Sequence, residues 1–480
     1  MSDESTFFLP VKDHCHRNLI TCHTEDLVID AARLMRDKSI SSLIACDDKG
    51  VPVGIMTDRD LRNKVIAGQL DPSKSVVREV MTAPVIAVRE EDSLFEVLYQ
   101  MSHHRIHRVG VVDRNKQLVG IINESDIIRL QNRSPQKLLR SIDETKTVAD
   151  LKVIHDNMEE LVVFLHGNGV RTKDLVKLIS LLNDQICLRL IDILRKERYQ
   201  NLPTGFAYLV LGSEGRREQT LKTDQDNAII YADNLSDADL EIIKAFSVEL
   251  IDALIEIGVP ECPGGIMAKN QFWRRSISQW QQAIDNWISA PSGENILNFS
   301  MFSDMRTLWG DASLEEQLRS HIVQRAEEEA VFLARMAANV CRFAPPLGLF
   351  GRIKTEKGQH AGMVDLKKAG IFAITEGIKT MALGIGVLGG STHDKLLILK
   401  EKGILNDKQV GDLEAAFSLL SFFRLREQVK LVESGQDPNN YIAPSSLNRV
   451  EKGRLRIALE VVLYFQGTLR SHFKVNMLRD

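Results

Sequence analysis

Asp224 and Asp226 are the residues in this chain best spaced to do chemistry. They sit in FAYLVLGSEGRREQTLKTDQDNAIIY, residues 206–231. The apolar run Ala228–Tyr231 follows them at strand length, and along a strand of period two both carboxylates point to one side. Mg²⁺ (or Mn²⁺) takes oxygen ligands and commonly uses one or two carboxylates together with substrate phosphates. A pair of such ions can clamp the attacking and leaving oxygens of a phosphoryl displacement. Upstream, Gly212-Ser213 ends a second apolar run, Phe206–Leu211. Glycine lets backbone approach a phosphate, Ser213 can donate a hydroxyl proton, and Arg216 and Arg217 can offset triphosphate charge. Glu214–Leu221 suits a short polar helix whose first turn offers N–H groups to an anion. A solvated loop is the competing reading of an isolated D-x-D pair, and the glycine turn between two strands argues for the nucleotide site.

The elements that must position this motif belong to a chain of 480 residues, too long for one core and sufficient for three or four domains. A net charge of −4 with 26% charged residues shows none of the basic bias of a nucleic-acid-binding surface. The first twenty residues lack a signal-peptide pattern, and Ile371–Gly390 carries Glu376, Lys379 and several glycines, a poor membrane span. Six scattered cysteines without C-x-x-C point to a reducing cytoplasm. His14-Cys15-His16 with Cys22-His23 lacks the two separated ligand pairs of a zinc site and is set aside.

Residues 21–60 and 87–126 align without a gap, so that Asp26 meets Asp92, Val53-Gly54-Ile55 meets Val119-Gly120-Ile121 and Asp60 meets Asp126. Each copy reads as a helix and two strands around a charged turn, and one copy alone is too small to bury a good core. After a linker at Arg133-Ser134-Pro135, apolar residues from Leu151 to Leu194 recur at helical spacing with a break at Gly167-Asn168-Gly169. Trp273, Trp280 and Trp287, seven residues apart, read as a buried stripe on one helix. Ile296–Arg306 reads as an apolar strand ending at Asp304. One long helix is expected from Arg325 to Val340, stopped by Pro345-Pro346, followed by a helical bundle.

Gly212-Ser213, ten residues, then Asp224-x-Asp226 resembles the signature of DNA polymerase β-type nucleotidyltransferases. GSEGRRE followed by TDQDNAIIY resembles the PII-protein uridylyltransferases and glutamine synthetase adenylyltransferases. The whole chain is most similar to a family of nucleotidyltransferase-like bacterial signalling proteins fused to CBS domains. That resemblance implies an α+β multidomain fold. Its parts are a tandem CBS (Bateman) module at 10–133 (about 10–70 and 75–133), a helical connector at 140–200, a polymerase β-like domain at 201–314 and an all-helical substrate-binding domain at 315–480. It implies a third carboxylate beside the D-x-D pair, for which Asp304 is the candidate. Gly264, Gly265 and Lys269 then border the cleft, and Arg352, Lys354, Lys357, Lys367 and Lys368 are candidates to reach phosphate across it. In the CBS family the terminal Asp bonds ribose hydroxyls of an adenine nucleotide and the Thr helps place ribose or phosphate. Thr57 and Asp60 match that pattern, whereas the second copy has Asn123 with Asp126. A homodimer is expected from the paired repeats, and no cyclic-nucleotide-binding domain is expected before them.

The resulting expectation is a signalling enzyme that moves a nucleoside monophosphate from a nucleoside triphosphate to a protein or small-molecule acceptor. Its catalytic and metal residues are Asp224, Asp226 and Asp304, its phosphate-binding residues are Gly212, Ser213, Arg216 and Arg217, and its CBS pair senses adenine nucleotides. The alternative is a nucleotide-binding scaffold without turnover, since Gln225 and Asn227 depart from the apolar residues usual in the uridylyltransferases.

Overall fold

The computed structural model describes residues 10–17, 19–104, 106–124, 126, 134–348 and 351–478. Arg133, in the expected linker and at the expected end of the CBS module, lies outside the described residues. The chain divides into two compact units, Met1–Lys137 and Leu138–Asp480.

In the first unit the duplicated sequence folds into duplicated structure. β1 (Thr21–His23) runs parallel to β2 (Ser42–Cys46), which pairs antiparallel with β3 (Pro52–Thr57). The second copy repeats this order in β4 (Ala87–Arg89), β5 (Arg108–Val112) and β6 (Leu118–Asn123). The helices Val28–Asp37 and Leu94–His104 each turn a stripe onto their own sheet: Val28, Ala31 and Met35 in one, Leu94, Val97 and Met101 in the other.

The lead-in segments are exchanged. Val11 buries itself in the core of the second copy and His16 bridges to Ile121, while the matching Val77 enters the core of the first copy and Thr82 bridges to Ile55. Each sheet is therefore completed by the stretch of chain that precedes the other copy.

The second unit is built on a four-stranded sheet of order β10-β7-β8-β9: β7 (Phe206–Val210), β8 (Asn227–Tyr231), β9 (Arg274–Ser276) and β10 (Arg306–Gly310). β7 lies antiparallel to both its neighbours, and β8 runs parallel to β9. All five residues of β7 are buried because it feeds two cores. Phe206, Tyr208 and Val210 face the connector helices Val148–Gly167 and Thr172–Glu197 and the helix Asp237–Ile257. Ala207, Leu209 and Leu211 face Trp273, Trp280, Trp287, Phe299 and Phe302. That two-sided burial is the period-two pattern of a central strand.

Several expected elements change. Ile296–Arg306 is not a strand: Gly293–Phe302 is a helix, capped where Ser292 accepts the Asn295 N–H, and β10 starts only at Arg306. Its buried Ile296, Phe299 and Phe302 recur at helical spacing, which outweighs the strand-like composition. The Trp stripe is shared between elements. Trp273 ends a 3₁₀ turn before β9, and the helix Ile277–Ser289, capped by Ser276, carries Trp280 and Trp287. The expected long helix is two, Ala312–Glu328 and Ala330–Arg342, broken at Glu329. The carboxyl-terminal part is mainly helical, and among its described residues the paired strands are Val364–Asp365 with Tyr441–Ile442. Its central helix, Phe372–Leu383, is buried along its length and packs among Thr392–Glu401, Asp407–Glu433 and Arg449–His472.

Candidate functional site at the glycine turn

The glycine turn leaves β7 at Leu211, makes a single helical turn over Gly212–Gly215, and reaches β8 through an irregular stretch. The longer helix expected over Glu214–Leu221 does not form, and a first turn this short leaves its N–H groups to other acceptors. Gly212 has φ +52°, and a Cβ there would lie 3.2 Å from Asp226 Oδ2 and 2.9 Å from Met301 Cε. A Cβ on Gly215 would strike the carbonyl oxygen of Asp304. Both glycines are thus required by the close approach of this turn to the acidic residues.

Burial alternates just before β8. Gln225 and Asn227 are buried, Asp224 and Asp226 are partly open, so the two carboxylates share the accessible side. The buried amides account for the departure noted at these positions. Gln225 donates from Nε2 to the Val259 carbonyl at 3.3 Å, and the Ala268 N–H donates to Asn227 Oδ1 at 2.7 Å. Their backbone N–H groups reach the carbonyls of Pro260 and Ile266 at 3.1 and 3.0 Å. The loop carrying Pro263-Gly264-Gly265 is thereby stitched beside the aspartates. Lys269 points elsewhere, to Glu261 and Asp252.

Burial and the neighbouring Asp224 push Asp226 up to about 6, although the Cys262 thiol donates a hydrogen bond to it and Lys367 attracts it. Two cations stand near the pair from the carboxyl-terminal helices, Lys367 by both aspartates and Arg424 by Asp224. Lys367 stands among protein atoms close to Asp224 and Asp226, keeps an accessible side chain, and has no ion pair among the described residues. Arg424 is 7% exposed, is pushed down to about 10 by burial, and feels both Asp365 and Asp224. Its Nε donates to Asn440 Oδ1 at 2.7 Å. Glu214, on the turn itself, is pushed up to about 8 by burial and by Asp184, with Arg306 pulling the other way.

Asp304 sits deeper, 2% exposed, in the turn between the Gly293–Phe302 helix and β10. Arg216 and Lys379 both donate to its Oδ2, Lys379 at 2.7 Å, and Lys395 Nζ stands 3.6 Å from Oδ1. These three cations hold its carboxyl well below the ordinary carboxylate range despite burial. Lys379 also binds Glu376 at 2.9 Å, and Arg216 binds Glu218 at 2.8 Å. Glu218 in turn accepts the Thr392 N–H at 2.6 Å, tying the turn to the start of the helix Thr392–Glu401. Three carboxylates and three cations form one buried, charge-balanced network. Arg217 is exposed, at φ +56°, with Nε 3.7 Å from Asp184.

The structure thus gathers Gly212, Asp224 and Asp226 with Lys367 and Arg424, and assigns Arg216 and Asp304 to the network beneath them. Among the described residues no three His, Cys, Asp or Glu side chains converge as a metal cage. Two partly open carboxylates faced by two cations fit the way Mg²⁺ is held, with substrate phosphates completing its oxygen ligands. Sequence reasoning named Lys367 but missed Arg424, Lys379 and Lys395, which no local motif ties to the turn.

In the CBS unit, Asp60 is saturated. Its Oδ2 accepts from the Thr57 hydroxyl and N–H at 2.7 and 3.0 Å, and its Oδ1 from Thr82 Oγ1 and Lys64 Nζ, both at 2.9 Å. Asp126 accepts the Asn123 N–H at 2.9 Å and meets His16 at 3.1 Å. Among the described residues, the copy lacking the hydroxyl residue has the carboxylate with fewer partners.

Paired three-stranded repeats followed by a strand–glycine-turn–strand site under a helical bundle define a duplicated α/β module joined to a nucleotidyltransferase-type domain. Family models match in the same order: "CBS domain" at 11–67 and 77–133, "Putative nucleotidyltransferase DUF294" at 156–294, and "Putative nucleotidyltransferase substrate binding domain" at 330–473. The chain belongs to this family of CBS-domain-containing nucleotidyltransferase-like proteins. Curated relatives match about a quarter of the chain. Uncharacterized protein MK0525 of Methanopyrus kandleri is 32% identical over 121 residues, 25% of this chain and 62% of that protein. Hypoxic response protein 1 of Mycobacterium tuberculosis is 35% identical over 111 residues, 23% of this chain and 77% of that protein. The L-aspartate semialdehyde sulfurtransferase of Methanocaldococcus jannaschii is 35% identical over 120 residues, and the chain spans 23% of its length. Among solved structures, the CBS domain pair of MJ0100 in complex with 5′-methylthioadenosine and S-adenosyl-L-methionine matches at 32% identity and a TM-score of 0.24. That match covers 26% of this chain and 95% of that one. No helix among the described residues is long and apolar enough to cross a membrane.

Proposed function

We propose that residues 138–480 transfer a nucleoside monophosphate from a nucleoside triphosphate to a protein or small-molecule acceptor in a signalling pathway. The observation that carries this reading is the pair Asp224–Asp226 on the open side of the β8 entry, against Gly212 and beneath Lys367 and Arg424. Asp224 and Asp226 would hold Mg²⁺ (or Mn²⁺), which when bound neutralises and orients the phosphates. Ser213 and the free N–H groups of the short turn offer donors to phosphate oxygens. Lys367 and Arg424 balance the negative charge of phosphates brought against two aspartates. Arg216 and Asp304 are positioning residues that fix the turn and dock it on the carboxyl-terminal helices. The CBS pair reads an adenine nucleotide, with Asp126 and Asn123 its more available site and Thr57 and Asp60 the pre-satisfied one.

A second reading, a nucleotide-binding scaffold, is favoured by the commitment of Arg216 and Asp304 to each other. Mg²⁺-dependent release of pyrophosphate from ATP, UTP, CTP or GTP, absent in Asp224→Ala/Asp226→Ala, supports transfer. Mg²⁺-dependent binding without pyrophosphate release in the presence of candidate acceptors supports the scaffold. Nucleotide binding that ignores both Mg²⁺ and the double substitution removes the site from this turn.

A further inference from the structure

Behind the D-x-D entry lies a second recess that the proposed reaction does not use. It has a volume of about 120 Å³ and is walled by His155 and Glu159, Asn183, Thr220 to Thr223, Gly258 to Pro260, and Asp437-Pro438. A recess of this size takes several waters and admits a small polar molecule. Four polar side chains turned toward it have no hydrogen-bond partner among the described residues: His155, Glu159, Asn183 and Thr220. His155 is 8% exposed and Thr220 3%, and the Thr220 hydroxyl is buried. Buried polar groups are normally satisfied, so the Thr220 hydroxyl and the His155 ring, unpartnered among the described residues, mark the recess as a place for a polar ligand, with the half-open Glu159 and Asn183 beside them. The charges are of both signs. Glu159, half-buried, has its carboxyl pushed up from its ordinary value by burial and by Asp156, and a cation brought against it restores the charged form. Lys222, paired loosely with the exposed Asp437 at 3.5 Å, offers an ammonium.

We propose that this recess binds a small zwitterion of α-amino-acid type, its ammonium on Glu159 and its carboxylate on Lys222, with Thr220 and Asn183 completing the hydrogen bonds. The occupant touches Thr223 and Pro260, and these flank the chemistry: Thr223 precedes Asp224, and the Pro260 carbonyl accepts the Gln225 N–H at 3.1 Å. Binding therefore steadies the loop that presents Asp224 and Asp226, and it does so whether or not that site turns over.

The test uses the full-length protein and the twenty L-α-amino acids, each titrated singly to millimolar concentration by calorimetry and saturation-transfer NMR. At least one is expected to bind wild type and Asp226→Asn alike, and to bind Glu159→Gln and Thr220→Val about tenfold or more weakly. Thr220→Val keeps the side-chain shape and removes an unpartnered hydroxyl, so its fold is retained. The N-acetyl and methyl-ester derivatives of the bound amino acid are expected to lose binding. No binding by any amino acid overturns the proposal. So does binding that survives both Glu159→Gln and Thr220→Val, binding abolished by Asp226→Asn, or equal binding of a derivative lacking one charge.

Discussion

Replacing Asp226 by Asn should stabilise the metal-free protein. Burial and Asp224 raise Asp226 from an ordinary value near 3.8 to about 6, so the folded state holds its proton more tightly than the unfolded chain does. A folded pKa raised above the unfolded one contributes stability that is present below about pH 4 and is lost as pH rises through about 6. A shift of roughly two units at ~1.4 kcal/mol each sets an upper limit of about 3 kcal/mol, and partial access of water lowers this to about 1–3 kcal/mol. Asn keeps the shape, and its amide oxygen still accepts from Cys262. The readout is already in place: all four tryptophans (273, 280, 287 and 309) lie in the second unit, so their fluorescence reports that unit alone. Urea unfolding in EDTA should show Asp226→Asn level with wild type near about pH 4 and more stable by about 1–3 kcal/mol at about pH 8. Added Mg²⁺ should narrow the gap by stabilising only the wild type. An Asn variant less stable than wild type at the higher pH, or a difference unchanged across that range, would refute the reasoning.

Lys379→Met strands Asp304 and Glu376 in the buried network and should cost about 3–5 kcal/mol by the same fluorescence measurement. Adding Glu376→Gln should recover part of it, as a double-mutant cycle would show. Lys367→Met should leave the unfolding midpoint within about 0.5 kcal/mol of wild type, because the side chain is exposed and unpaired, while weakening Mg²⁺–triphosphate binding about tenfold in calorimetry. Gly212→Ala should cost about 1–2 kcal/mol for the positive φ alone and should also weaken Mg²⁺–triphosphate binding, since its methyl group crowds Asp226. In the CBS unit, Asp60→Ala should lower stability by about 1–3 kcal/mol through its stranded donors, whereas Asp126→Ala should instead weaken adenine-nucleotide binding, measured by calorimetry.

The glycine turn and the aspartate pair were legible because both follow local rules: a break after an apolar run, then period-two alternation into the next strand. The duplication was legible because the two copies align without a gap. What surrounds the site was not. Lys379, Lys395 and Arg424 reach the turn from helices more than 150 residues downstream, and charge on a helix gives no sign of what it faces. The run before Asp304 was misread because its apolar residues satisfy strand composition, although Ser292, three positions before Asn295, marks a helix start. Gln225 and Asn227 looked like departures from a catalytic pattern and are structural amides bound to a neighbouring loop. The exchange of lead-in segments lay outside the aligned windows, where only Val11-Lys12-Asp13 and Val77-Arg78-Glu79 correspond.

That exchange makes the two repeats mechanically inseparable. Thr82, which holds Asp60 of the first copy, belongs to the chain that leads into β4 of the second. His16, which holds Asp126 of the second, leads into β1 of the first. A ligand competing for either aspartate would meet a segment whose chain continues into the other half. Excising either half would therefore remove a segment that packs on the other sheet.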